Sequence, residues 1–245
     1  MVTCDPGPVV LHADPEHARL RTAVAAFLLI ALLVVFGLAR LLIGRFGSEI
    51  LRDFSIVVSC ATALSVGLAA AWLFERRLKN VWHSGEQLQL DAAGIHYHVK
   101  PNDNTQTFHW SAPMNVLYWT FKLSGYPRAG RERRLPKQWT CLACELQQDE
   151  ERLSVFSYAP PQRAARWTQA TTDGDQFFAL SLNKLYAGQR LSSRYTAVAQ
   201  PRVTTDLLRG KDGRFWLAEQ RRWQQGIELT PDDFETFIDY VRRKQ

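Results

Sequence analysis

Cysteine is scarce in this chain, with four among 245 residues, at positions 4, 60, 141 and 144. So few in a chain this long do not suggest a disulfide framework. The usual catalytic signatures are missing too: there is no glycine-rich phosphate loop, no Gly-x-Ser-x-Gly elbow, no His-Glu-x-x-His and no paired cysteine knuckle for zinc. The expectation is a protein that is not an enzyme and carries no cofactor, although no carboxylate is excluded as a catalytic group. Internal repeats and low-complexity tracts are also lacking. A cleaved signal peptide would begin with a basic segment, whereas the leader Met1 to Arg21 holds Asp5, Asp14 and Glu16.

Two long runs without charge stand out against these absences. Thr22 to Ala39 carries no charged residue and continues past Arg40 through Leu41, Leu42 and Ile43; Phe54 to Phe74 is likewise uncharged. A helix needs about 20 apolar residues to cross a hydrocarbon layer of about 30 Å. Both runs reach that length, and the turn Gly44 to Asp53 is too short to hold a domain. The expectation is a transmembrane hairpin over 22–74, with helices near 22–43 and 54–74. Within the second run Ser55, Ser59, Ala63, Gly67 and Ala71 recur at every fourth position. Small side chains at that spacing let helix backbones approach closely in lipid, within one chain or between chains of an oligomer. The alternative is a pair of buried core helices, or a composition that is merely rich in small residues.

Positive charge near the helix ends orients the hairpin. Arg19, Arg21, Arg76, Arg77 and Lys79 flank the outer ends, against Arg40, Arg45 and Arg52 at the turn. Five against three places both termini in the cytoplasm, at an inner membrane. Residues 1–74 hold five basic and five acidic residues, so the net charge of +6 resides in the remainder. A basic domain suits the anionic cytoplasmic leaflet.

From Glu86 the pattern changes to strands. Gln87 to Leu90 alternates, Asp91 to Gly94 forms a turn, and Ile95, Tyr97 and Val99 alternate with His96, His98 and Lys100. A loop of turn formers, Pro101 to Asn104, precedes Thr105 to Trp110. Val116 to Leu123, Trp139 to Leu146 and Leu153 to Tyr158 complete six strands in hairpin order, the last two joined by the charged turn 148–151. This order predicts an antiparallel sheet that curls or sandwiches. A helix closes the chain: Thr230 caps it, Pro231 takes its first position, and Asp232 and Asp233 complement its positive end. Phe234, Phe237, Ile238 and Val241 form one apolar stripe. Between 160 and 225 the signals are irregular. A helix over 175–191 and strands over 195–199 and 215–217 are the candidates there.

The run Gln87-Leu88-Gln89-Leu90-Asp91-Ala92-Ala93-Gly94-Ile95, then Phe108-His109-Trp110-Ser111 and an apolar strand, all behind a membrane hairpin, resembles the bacterial pleckstrin-homology-like membrane proteins. The resemblance covers Glu86 to Tyr158 and the final helix. It implies an α+β fold: a two-helix transmembrane hairpin, then a PH-like antiparallel β-sandwich or barrel over 75–245, capped by the C-terminal helix. The long stretch 160–225 departs from that pattern. The implied function is binding, to a protein partner or to an anionic membrane surface. In the eukaryotic relatives basic residues of the first hairpin loop grip phosphates, but Asp91 to Gly94 contains none.

The basic cluster lies instead at Arg128, Arg131, Arg133, Arg134 and Lys137. Each cation near an anionic surface contributes about 1 kcal/mol; the alternative is a solvated loop. Nucleic acid is a poor partner, because no aromatic stacking motif accompanies the cluster. Histidine suggests a second candidate. If Lys100 lies opposite Thr105, then His96 faces His109 and His98 faces Thr107, so His96, His98 and His109 share one face and could hold a metal. The alternative is a polar face exposed to water. Cys141 and Cys144 lie three apart in an extended segment, where their side chains point to opposite faces. A membrane-tethered metal or redox protein, or an accessory subunit of a larger membrane complex, are therefore the alternatives to a binding module.

Overall fold

A four-residue strand ahead of the apolar helices, β1 (Val9–His12), begins the folded domain. The computed structural model describes residues 7–14, 17–99, 104–124, 135–169, 177–186 and 202–244. Strand β1 pairs antiparallel with β2 (Glu86–Leu90), Val9 opposite Leu90 and His12 opposite Gln87. The leader expected from the sequence is thus part of the domain. Leu11 and Ala13 are buried in its core. The chain divides into two compact units, one between Glu16 and Ser84 and the other built from the chain on both sides of it.

The first unit consists of α1 (Ala18–Phe46), a five-residue helix α2 (Glu49–Asp53) and α3 (Ser55–Val81). At 1.5 Å per residue the two long helices measure about 43 and 40 Å. Both are long and apolar enough to cross a membrane. Leu29, Leu33 and Leu41 leave 63%, 73% and 62% of their surface uncovered. Four residues of the small-residue row, Ser59, Ala63, Gly67 and Ala71, are the buried residues of α3. The backbones approach so closely there that a Cβ on Gly67 would stand 2.9 Å from Leu32 Cδ2. Phe27 stacks on Phe74 at 4.2 Å beyond the small residues. Ser55 is only half-buried.

In the second unit β1, β2, β3 (Gly94–Val99) and β4 (Asn104–His109) form an antiparallel meander in sequence order. The β2–β3 turn is held by Asp91, whose Oδ1 accepts from the Ala93 and Gly94 N–H groups at 2.9 Å each. Gly94 has no room for a side chain, since a Cβ would lie 2.1 Å from the Phe108 carbonyl oxygen. The β3–β4 register differs from expectation by two residues. Ile95 faces Phe108, His96 faces Thr107, His98 faces Thr105 and His109 faces Gly94.

A second sheet has the order β8-β5-β6-β7-β9. Strands β5 (Asn115–Lys122), β6 (Thr140–Gln148) and β7 (Glu151–Ala159) are an antiparallel meander. The two-residue strands β8 (Phe178–Ala179) and β9 (Ile227–Glu228) add to its edges in parallel. The inner face, with Leu142, Cys144, Leu146 and Val155, packs with the first sheet and the last helix, α8 (Pro231–Lys244). That helix follows the sequence reading. The Asp233 N–H donates to Thr230 Oγ1 at 3.1 Å, and Phe234, Phe237, Ile238 and Val241 are all buried.

The outer face of the second sheet carries Trp119, Phe121, Cys141, Ala143, Phe156 and Tyr158, all buried in a second core. Such a face needs a cover, and the segment between β7 and α8 supplies it. That segment contains α4 (Pro161–Gln169), α5 (Leu182–Leu185), α6 (Thr205–Arg209) and α7 (Gly213–Gln225). Phe215 and Trp216 of α7 and Leu182 and Leu185 of α5 close the second core, each large side chain contributing about 1.5–3 kcal/mol by burial. The expected strand over 215–217 is therefore helix. The expected helix over 175–191 is, in its described part, the strand β8 followed by the single turn α5. The candidate strand over 195–199 lies outside the described residues. Helix α4 is tied to α8 by Arg163, which bonds Asp232 and also Glu235, the latter at 2.6 Å.

Candidate functional site

Two places gather chemistry-bearing side chains. The first is the outward face of the first sheet. Paired residues of an antiparallel ladder share a face, so the registers set His12, His98 and Thr105 in one row and His96 with Thr107 in the next. His109 follows opposite Gly94. Four of the six histidines thus share a face, one more than the sequence suggested. The rings, however, are not arranged as ligands. His96 Nε2 lies 3.1 Å from Asp91 Oδ2 and Nδ1 lies 3.2 Å from Thr107 Oγ1. With its proton on Nε2 the ring donates to the carboxylate and accepts from the hydroxyl, which engages both nitrogens. His98 Nδ1 meets Thr105 Oγ1 at 3.1 Å. Since His109 lies opposite Gly94 instead of His96, the three imidazoles do not converge. Among the described residues no three His, Cys, Asp or Glu side chains form a metal-holding group. Asp91 is itself held below its ordinary value, first by the Gly94 N–H, then by the Ala93 N–H and His96, against the opposing effect of burial.

The second place is where α7 docks on the second sheet. Glu145 of β6 is completely buried and takes a two-point contact from Arg221, Nε to Oε2 at 2.8 Å and Nη2 to Oε1 at 2.6 Å. Ser154 Oγ donates to Glu145 Oε2 at 3.1 Å. Next to it Glu219 and Arg222, 1% and 3% exposed, form a second pair at 2.8 and 2.9 Å. The Trp119 indole N–H donates to Glu219 Oε2 at 2.9 Å. The Arg222 guanidinium lies over Phe156 and Phe121, 4.5 and 5.3 Å from their centroids. Burial alone would lower the Arg222 pKa; the Glu219 carboxylate, with Tyr158 and Cys141, more than reverses this and holds it well above its ordinary value. Every charge here is matched, so the arrangement fixes α7 in one position on the sheet. Neither pair was visible in the sequence. The only signal was the i, i+3 spacing of Glu219 and Arg222 beside Phe215 and Trp216.

The exposed end of this arrangement opens into a cleft of about 430 Å³ within the domain. Asp14, Glu86, Tyr97, Val99 and Gln106 line one side, and Arg152, Ser154, Phe156, Arg221, the end of α7 and Glu228 line the other. The Tyr97 hydroxyl donates to Glu86 Oε2 at 3.1 Å. Burial, and then the neighbouring Glu86 carboxylate, push the Tyr97 phenol well above its ordinary value.

The other candidates fall as follows. Cys141 and Cys144 face opposite sides of β6, one in each core, as expected for residues three apart in a strand. Burial, followed by the Glu145 carboxylate, pushes the Cys144 thiol well up, the reverse of an activated thiolate. Lys137 is exposed in the turn before β6, and its carbonyl accepts from the Ser124 N–H at 2.9 Å. Arg128, Arg131, Arg133 and Arg134 lie outside the described residues. Comparison with protein-family profiles, with curated proteins and with solved structures finds no match to this chain.

Proposed function

We propose that this chain is a membrane-anchored binding module: α1 and α3 cross a bilayer as a hairpin, and the α+β domain, held at one membrane face, binds a partner through its own surface. The observation that carries the reading is the pairing of β1 with β2 on either side of the helices. Because the strands belong to one sheet, the outer ends of both helices return to one compartment, which requires an even number of crossings. The basic excess at those ends supports the cytoplasmic side. The uncovered leucines along α1 support lipid as the helices' surroundings, and the small-residue seam filled by α1 supports an anchor that packs on itself.

Two antiparallel meanders closed by a C-terminal helix are what a PH-like domain would have, with α5 to α7 as an added cover on its second sheet. The ion pairs on α7 satisfy one another and hold that helix on the sheet, which supports the reading as a binder. The test is alkaline carbonate extraction combined with protease protection of a C-terminal tag in oriented vesicles. Retention in the pellet, with the tag cleaved only from the cytoplasmic side, is expected. Release by carbonate would end the anchor reading, and protection of the tag from that side would end the assigned orientation.

A further inference from the structure

We infer that the outer edge of β4 is a strand-addition site, where an extended segment of a partner protein, apolar at alternate positions, pairs through its backbone. The inference rests on the binding-module reading and names the class of partner. Its first support is the direction of the backbone groups. The Trp110 N–H donates to the Ala93 carbonyl, on the β3 side. His109 turns the other way and gives both its groups to the Gln148 carboxamide. In an antiparallel ladder both groups of a residue point to one side, and successive residues alternate. Thr107 and Thr105 therefore direct N–H and C=O away from β3, as His109 does. Among the described residues nothing bonds these backbone groups, since β4 pairs with β3 alone. Only the two hydroxyls are engaged, by His96 and His98.

The second support is that this edge lacks the usual protection. Sheets blunt their edges with short strands, proline, charge or a cover. The second sheet ends in β8 and β9, of two residues each, and β1 has four residues behind Pro8. Strand β4 has six residues, none of them proline, lysine, arginine, aspartate or glutamate. The Gln148 carboxamide already occupies the first position along this edge as a peptide group would. An added strand continues from there along Thr107 and Thr105.

The third support is what meets the ligand's side chains, which alternate between the two faces of an added strand. Gln106 and its partner Tyr97 line the cleft. Every second side chain of the ligand therefore faces the cleft, where Tyr97, Val99 and Ile227 offer apolar wall. The residues between them stand beside Thr105 and Thr107, on the face of His96 and His98, and are polar. Backbone pairing supplies the affinity and the alternate side chains the selectivity.

The experiment uses the full chain in phosphatidylcholine nanodiscs. The probe is the neutral peptide acetyl-Thr-Val-Thr-Val-Thr-amide, and the same peptide N-methylated at every amide is the control; both are titrated by calorimetry. Binding of the first and not of the second is expected, and hydrogen exchange over residues 104–109 should slow when the peptide is bound. Thr107→Pro removes an outward N–H and no bond to β3. It should weaken binding roughly tenfold, which corresponds to about 1.4 kcal/mol. Slowed exchange in the unaltered protein is a gain that misfolding of the variant cannot imitate. No binding of the peptide, equal binding of its methylated form, or an unchanged affinity in Thr107→Pro would overturn the inference. A dimer of the protein that Thr107→Pro dissolves would assign the edge to a second copy and overturn it as well. Retention of the protein in carbonate-washed membranes without peptide binding would defeat this inference alone, leaving the anchor in place.

Discussion

The carboxamide of Gln148 takes up both backbone polar groups of His109: its Oε1 accepts from the His109 N–H and its Nε2 donates to the His109 carbonyl, each at 2.8 Å. A side chain from the end of β6 thereby acts as a one-residue strand against the edge of β4. It joins the two sheets at a corner where no ladder runs between them. At the opposite corner the Asp14 N–H donates to the Glu228 carbonyl at 2.8 Å.

Gln148→Leu leaves the His109 N–H without its partner and the His109 carbonyl with the Ala112 N–H alone, at 3.3 Å. It should destabilise the domain by about 1–3 kcal/mol. Gln148→Glu keeps the acceptor and loses the donor, and should fall between the two. Urea titration of the detergent-solubilised protein, followed by tryptophan fluorescence, measures both; equal stability of all three proteins would show that the corner is not held by this side chain.

Glu219→Gln removes the charge opposite Arg222 in a buried setting. A loss of about 3–5 kcal/mol is expected, the usual cost of stranding one member of a buried pair. The double change Glu219→Leu with Arg222→Met should cost less than Glu219→Gln alone, because no charge is left unmatched. A double-mutant cycle on the same urea transition checks this, and additive losses would argue against coupling.

Asp91 gives the domain a dependence on acid. Its folded pKa is lowered, so its contribution to stability is present above the ordinary aspartate value of about 3.9 and is lost as pH falls through the folded value. The stability of the unaltered protein should therefore decline below about pH 4 more steeply than that of Asp91→Asn. Thermal melts across pH 3 to 6 give the comparison, and parallel curves would remove Asp91 as the cause.

Cys141 and Cys144 should both resist a membrane-permeant maleimide in the native protein and react in denaturant. They should not form a disulfide with each other under mild oxidation, since β6 directs them into separate cores. Mass spectrometry of peptides from the labelled protein reads both outcomes, and a native cross-link between them would contradict the strand.

Where the sequence was legible, periodicity and end signals agreed with tertiary packing. The six strands from Gln87 to Tyr158 and the Thr230-capped helix were of this kind. The β3–β4 register was not fixed by pattern, because a slip of two residues leaves every side chain on its original face. Ile95 can face Trp110 or Phe108 with the same apolar result; the close approach of Gly94 to the Phe108 carbonyl decides between them. Helix α7 was hidden because Glu219 and Arg222 occupy inward positions where a stripe should be apolar, while Phe215, Trp216 and Leu217 in a row look extended. Strand β1 was hidden for a different reason. It is four residues long, and its partner lies beyond both apolar helices. The lining of the cleft was illegible for the same reason, since its residues come from Asp14 beyond β1 and from β2, β3, β4, β7, α7 and β9, and meet only once both sheets have formed.

The pairing of β1 with β2 also sets an order of events in folding. All of α1, α2 and α3 lies inside the loop that the His12–Gln87 pairing closes, so β1 emerges first in synthesis and waits for its neighbour until the helices are made. Bringing the two helices together draws the loop ends near each other and removes much of the entropy cost of closing it. Packing of α1 on α3 then eases the closing of the first sheet. A fragment beginning after α3 would leave the edge of β2 bare and Leu88 and Leu90 without Leu11, a surface prone to pairing with other chains.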